Sequence, residues 1–258
     1  MNYYGFVSWF GRFAAALRFL TIIPLPGSLG TTEDELTGAT PFFPLVGLLL
    51  GCIAVPLVWL LHLLLPPLLT AVLATLFLLA FSGGLHLDGL ADTADGFFSS
   101  RPREKILEIM RDSATGAMGV IAIVILLLLK VACLASLDTD LLPVVFLMPL
   151  AGRTAILLMM ALLPYARPQG GLATLFYSRR SRMVGLSSLV FFSAVALLLT
   201  GVQGGLAVVL TVVLSVALFS WFCQRKIGGA TGDTLGASCE LAEAAVALVF
   251  VIRIGGWS

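Results

Sequence analysis

The segment His86-Leu-Asp88-Gly-Leu-Ala-Asp92-Thr-Ala-Asp95-Gly96 carries three carboxylates at spacings of four and three. On a helix, residues at i, i+4 and i+7 stack on one face, turn over turn. Like charges so arranged repel, and a cation between them removes the repulsion. Carboxylate oxygens in such a stripe suit Mg²⁺, a hard ion that usually shares its coordination shell with substrate phosphates. No Lys or Arg interrupts residues 83–100, whereas an ordinary solvated helix mixes signs. Asp88, Asp92 and Asp95 are therefore the expected metal ligands and catalytic acids. His86, two residues ahead, is a candidate ligand, general base or interfacial cap. Gly83, Gly84, Gly89 and Gly96 permit close backbone approach or a break in the chain direction.

A second acidic group follows Gly228-Gly229-Ala-Thr231-Gly232-Asp233-Thr-Leu-Gly236, which opens into an apolar run bearing Glu240 and Glu243. If the helix begins near Asp233, then Asp233, Glu240 and Glu243 share one stripe. Acids inside a membrane are costly and functional by default. Glycines leading to a helix N-terminus also offer N–H groups to an anion. Gly229, Gly232, Asp233, Glu240 and Glu243 are thus expected substrate contacts. Arg153 stands in the middle of another apolar run, where burial costs at least ~2.5 kcal/mol. It must face a carboxylate or a substrate phosphate, and is counted among the catalytic residues. Arg111 and Asp112, at the mouth of a span, and Arg167 are candidate phosphate contacts, since Arg grips phosphate bidentately; Arg167-Pro-Gln-Gly170-Gly171 reads equally as a turn. Lys130 and Arg253, nearer the far interface, read as structural, with their charged ends snorkelling to water.

These residues are carried by a chain that is 59% hydrophobic and 11% charged, with a mean hydropathy of +1.07. A soluble domain carries about 25% charged residues, so the consistent solvent is a bilayer. Spanning its core takes roughly 20 apolar residues of helix, because only a helix satisfies its own backbone there. Segments 42–65, 67–85, 116–137, 141–163, 184–202, 204–222 and 239–256 qualify, with Pro66-Pro67 and Gly204-Gly205 as breaks. Residues 5–23 carry Arg12 and Arg18 and read as an interfacial or re-entrant helix ending at Pro24-Leu-Pro26. The expected fold is all-α: one integral-membrane domain over 1–258, a bundle of about seven spans. Seven spans place the basic segments, with twelve of the fifteen Lys and Arg, on one face. By the positive-inside rule that face is cytoplasmic, with the N-terminus inside and the C-terminus outside. A net charge of +1 leaves no electrostatic footprint for nucleic acid, and the four scattered cysteines suggest neither zinc nor a disulfide framework.

The acidic motif, Arg111-Asp-Ser-Ala-Thr-Gly116, Gly152-Arg153 and Gly229-Ala-Thr-Gly-Asp233-x-x-Gly236 resemble the cobalamin synthase family, also called adenosylcobinamide-GDP ribazoletransferase. Leu17-Arg-Phe19-Leu-Thr21 with Pro24, and Phe43-Pro-Leu-Val-Gly47, look like its N-terminal segments. The resemblance runs over nearly the whole chain in order. It implies an inner-membrane enzyme with Mg²⁺ as cofactor, joining adenosylcobinamide-GDP to α-ribazole or its 5′-phosphate and releasing GMP. It leaves open a homo-oligomer or an assembly with other nucleotide-loop enzymes. Two rival chemistries remain. One is another Mg²⁺-dependent intramembrane phosphotransferase or prenyltransferase; CDP-alcohol phosphotransferases show D-G-x-x-A-R, and Asp92 here occupies the place of that Arg. The other is a cation transporter, which would set its acids near the midplane rather than at one face.

Overall fold

The computed structural model describes residues 3–167, 170–178 and 180–252, and the side chains of all but 3–8 and 172 among them. Arg179 and Arg253 lie outside the described residues. The chain is helical from α1 (Tyr3–Leu20) and α2 (Glu33–Thr37) through α3 (Phe43–Leu64), α4 (Pro67–Phe81), α5 (Leu85–Phe97) and α6 (Arg103–Ile109). It continues with α7 (Ala117–Ala135), α8 (Leu141–Leu162), α9 (Ser181–Ile227) and α10 (Gly232–Val251).

Five helical segments are long and apolar enough to cross a bilayer, and the pair α4–α5, bent by 90°, makes a sixth candidate. One of the five, α9, has 47 residues and is broken at Gly201. Both of its ends lie at the same end of the bundle. A Cβ on Gly185 would meet Leu157 O and the Ala161 side chain, while Ile227 O accepts from Arg103 Nε at 2.7 Å. α9 is therefore a hairpin of two crossings, and the expected seven spans follow. The turn falls at Gly201 rather than at Gly204-Gly205. Gly201 has φ 71° and ψ −179°, a conformation that glycine alone adopts without strain. Gly205 instead lets the arms touch, since a Cβ there would lie 2.6 Å from Leu197 Cα.

The last helix starts seven residues earlier than apolarity suggests. Thr231 caps it, its side chain accepting from Thr234 N while Thr234 Oγ1 accepts from Thr231 N. Such reciprocal capping satisfies helix-end donors whatever the polarity of the first turn.

α8 is the hub, packed against α3, α9 and α10 and buried over most of its length. Gly47 and Gly51 of α3 lie four apart and bring its backbone onto α8: a Cβ on Gly47 would sit 2.6 Å from Pro149 O, and one on Gly51 2.6 Å from Phe146 O. Without a hydrophobic drive between helices in lipid, this small-residue contact is how they associate. The outer helices show the opposite composition. Ile121, Ile125 and Leu128 on α7 and Leu198, Leu206 and Leu210 on α9 are large, apolar and exposed, the surface that acyl chains cover.

The segments joining α1 to α3, α5 to α7, α8 to α9 and α9 to α10 share one end of the bundle. Ile22 N donates to Phe81 O, Arg103 reaches Ala166 O and Ile227 O, and Lys226 reaches Phe97 O. All the basic segments of the sequence reading meet there. The opposite end carries His62 and Asp138, 3.5 Å apart.

Candidate active site

The two acidic segments meet because glycines let their backbones touch. A Cβ on Gly89 would lie 2.7 Å from Asp233 O, and one on Gly236 3.2 Å from His86 Cα. α5 turns away from α4 by 90° and packs against α7 and α10. Its apolar residues Leu87 and Leu90 pack on Leu126, Ala237 and Ala244, so the acidic stripe faces the bundle end.

Of the three acids on that stripe, Asp88 is exposed and Asp92 half-buried. Burial, and after it the repulsion of Asp233, Asp88 and Asp95, push the Asp92 carboxyl up to about 7 against the opposing pull of Arg167. Asp95 is set apart from them. Its oxygens accept from Gly116 N at 2.6 Å and Gly119 N at 2.8 Å, capping α7. Unpaired N–H groups at a helix start favour such a carboxylate. The expected triad is thus split, and Asp233 faces Asp92 from the neighbouring helix.

Asp233 Oδ2 lies 2.5 Å from Arg167 NH2 and 3.3 Å from Thr231 Oγ1. Arg167 NH2 also lies 3.4 Å from Met110 O, while its Nε is buried and without a hydrogen-bond partner. A parallel bridge, Ala166 N to Ala230 O and Ala230 N to Pro164 O at 2.8 Å each, holds the Arg167 loop against the start of α10. Gly229 lies next to that bridge, its backbone so close that a Cβ on it would strike Pro164 O. Gly232 lines the site at the first turn of α10. Arg111 and Asp112 are exposed on the loop between α6 and α7, where Asp112 Oδ1 accepts from Ala114 N; neither lines the cavity.

That cavity, of about 220 Å³, is lined by the polar side chains of His86, Asp88, Tyr165, Arg167 and Asp233. Apolar side chains, among them Phe19, Phe43, Ile156, Met160, Phe176 and Leu235, make up the rest. His86 is 3% exposed, and its Nε2 has no partner among the described residues. The aromatic wall went unnoticed in the sequence reading as part of the site. Its only trace was that Phe19 and Phe43 fall in the two N-terminal segments that carry the family resemblance.

Glu240, Glu243 and Arg153 are elsewhere. Glu240 does share a stripe with Asp233, but seven residues set it ~10 Å deeper along the helix. There Lys130 Nζ lies 2.7 Å from both Glu240 Oε2 and Glu243 Oε2, and Glu243 Oε1 lies 2.8 Å from Arg153 NH1. The four side chains are at most 6% exposed. Lys130 therefore does not snorkel. Two buried carboxylates hold it inside, an attraction that the hydropathy of α7 alone cannot reveal.

Among the described residues no three His, Cys, Asp or Glu side chains form a ready metal cage. The donors nonetheless fit a hard cation of the Mg²⁺ type. Asp88, Asp92 and Asp233 are all oxygen donors, with Arg167 paired to Asp233 alone, and Mg²⁺ takes one or two carboxylates together with substrate phosphates.

A family model described as cobalamin-5-phosphate synthase matches residues 12–251. An adenosylcobinamide-GDP ribazoletransferase of Acetivibrio thermocellus is 38% identical over 242 residues, covering 93% of this chain and 97% of the relative. Those of Desulforamulus reducens and Klebsiella pneumoniae are each 40% identical over 247 residues, covering 95% and 94% of this chain and 97% and 98% of the relatives. No solved structure matches the chain.

Proposed function

From the premise that the chain belongs to the cobalamin-5-phosphate synthase family, we propose that its chemistry is carried out at the acidic rim of the cavity. The activity is ribazole transfer: the adenosylcobinamide phosphate moiety passes from adenosylcobinamide-GDP to α-ribazole, or to its 5′-phosphate, and GMP leaves. The observation that carries the placement is the meeting of Asp88, Asp233 and Arg167 at one cavity, with Asp92 close enough to Asp233 and Asp88 to be repelled by them.

Asp88, Asp92 and Asp233 would hold Mg²⁺, which when bound offsets negative charge on the diphosphate. Arg167 is positioned to exchange its Asp233 contact for a phosphate oxygen, and its unpartnered Nε provides a second donor for a bidentate grip. A ribose hydroxyl of α-ribazole attacks the cobinamide-side phosphorus. The bond from that phosphorus to the bridging oxygen breaks, and GMP departs with the electron pair. The hydroxyl proton passes to a rim carboxylate or to His86. Positioning and electrostatics supply most of the rate in such transfers. Asp95 holds α5 against α7 and so sets the stripe's direction. The basic loops around the site support a position on the cytoplasmic side of an inner membrane.

Purified protein given adenosylcobinamide-GDP, α-ribazole and Mg²⁺ is expected to release GMP, and chelation is expected to stop the release. Turnover undiminished by exhaustive chelation would refute the metal assignment; no turnover in any divalent cation would refute the placement.

A further inference from the structure

The cavity has two chemically distinct halves. Its rim is polar, with Asp88, Arg167 and Asp233, whereas its inner wall is apolar and sealed: Phe43, Ile156, Met160, Phe176 and Leu235 are between 1% and 6% exposed. The Phe176 ring lies 4.5 Å from that of Phe19 and 5.6 Å from that of Phe43, centroid to centroid. The reaction brings together three groups that could enter: a corrinoid, a guanine and the substituted benzimidazole of α-ribazole.

Volume rules out the first. An apolar cavity of about 150 Å³ takes one benzene, so about 220 Å³ admits one bicyclic ring and not a macrocycle. Polarity separates the other two. Guanine carries donors and acceptors around its edge, and each one buried without a partner costs ~1–3 kcal/mol. Apart from Tyr165, whose hydroxyl lies beside Gly171, the apolar lining has no polar side chain to meet them. A benzimidazole linked to ribose through one nitrogen presents hydrocarbon on every side except its second ring nitrogen, a single acceptor. Beyond Arg167, whose Nε is given to the phosphate, the lining offers a buried and unpartnered nitrogen in Nε2 of His86.

We propose that this inner half is the base subsite for α-ribazole: the aromatic wall stacks the benzimidazole, and His86, as its Nε2–H tautomer, donates to the free ring nitrogen. This rests on the ribazole-transfer reading above. It places the ribose at the acidic rim, where its hydroxyl meets the phosphates, and leaves the corrinoid and guanine outside the cavity. It also gives the hydroxyl proton to the rim carboxylates.

Calorimetric titration of the purified full-length protein in detergent tests this without turnover. Free 5,6-dimethylbenzimidazole and α-ribazole are expected to bind saturably, with no corrinoid or metal present, and excess guanosine is expected not to displace them. Phe176→Ala should weaken base binding about tenfold or more, the scale of a lost base–aromatic stack. The same variant should raise the KM for α-ribazole in proportion, with the KM for adenosylcobinamide-GDP within about twofold of the parent. His86→Phe should weaken α-ribazole, while binding of the matching indene, which lacks the acceptor nitrogen, stays the same. Displacement by guanosine, or a rise confined to the KM for adenosylcobinamide-GDP, would overturn the assignment. So would a working enzyme that binds neither the base nor α-ribazole, and that result would leave the transfer reaction standing. Conversely, saturable base binding without any GMP release would support the subsite and count against the reaction.

Discussion

Lys130→Met isolates the buried charge network. The substitution keeps an unbranched side chain, one atom shorter, and removes its charge. Lys130 Nζ is 2.7 Å from both Glu240 and Glu243, and Arg153 neutralises Glu243 from its other oxygen. Two cations and two carboxylates therefore balance in an environment at most 6% exposed. Without Lys130, Glu240 loses its ion-pair partner while Glu243 keeps one. Removing one partner of a buried pair costs about 3–5 kcal/mol, because a charge is left uncompensated. At about 2–4 °C per kcal/mol for a chain near this size, the apparent Tm should fall by roughly 6–20 °C. A thiol-reactive fluorophore reads this directly, since Cys133, Cys223 and Cys239 are buried and Cys52 provides the folded baseline. Cys239 Sγ lies 3.8 Å from Glu243 Oε1, so loosening of the network is reported from within it. Lys130→Met combined with Glu240→Gln restores neutrality and should recover at least half of the loss. A single variant melting within about 2 °C of the parent, the behaviour of a snorkelling lysine, would refute the network; so would a double variant no more stable than the single.

Asp92→Asn should abolish GMP release with insertion and melting little changed, whereas Asp95→Ala should do the reverse in emphasis. Loss of the α7 cap should cost about 1–2 kcal/mol in stability and leave a reduced but still Mg²⁺-dependent rate, measured by parallel melts and metal titrations. Gly47→Leu would drive a side chain into Pro149 O, 2.6 Å from the Cβ position; the expected result is loss of detergent-stable protein in size-exclusion chromatography, against a near-normal Gly232→Ala control, whose Cβ would meet only Ala173 Cβ at 3.7 Å. A reporter fused after Ser258 should read as periplasmic, and a cytoplasmic signal would remove the hairpin at Gly201 or the crossing of α4.

The bilayer made much of this fold legible in one dimension. Backbone groups must be satisfied within each helix, so long apolar runs mark crossings one by one, and basic residues mark the end on which their loops fall. Helical periodicity likewise put Asp88, Asp92 and Asp95 on one stripe, and Asp233, Glu240 and Glu243 on another. What a period conveys is a face and a depth, not a partner. Tertiary structure decided that Asp95 turns to the start of α7, that Asp233 takes its place beside Asp92, and that Glu240 and Glu243 bind Lys130 and Arg153. Phe19, Phe43 and Phe176 come from three distant segments, and only folding assembles them into one wall. The physical reason is that the axial position of a residue follows from local geometry. Which helices touch, and at what rotation, depends on close contacts such as Gly89 on Asp233 and Gly47 on Pro149, and those form only when the whole bundle packs.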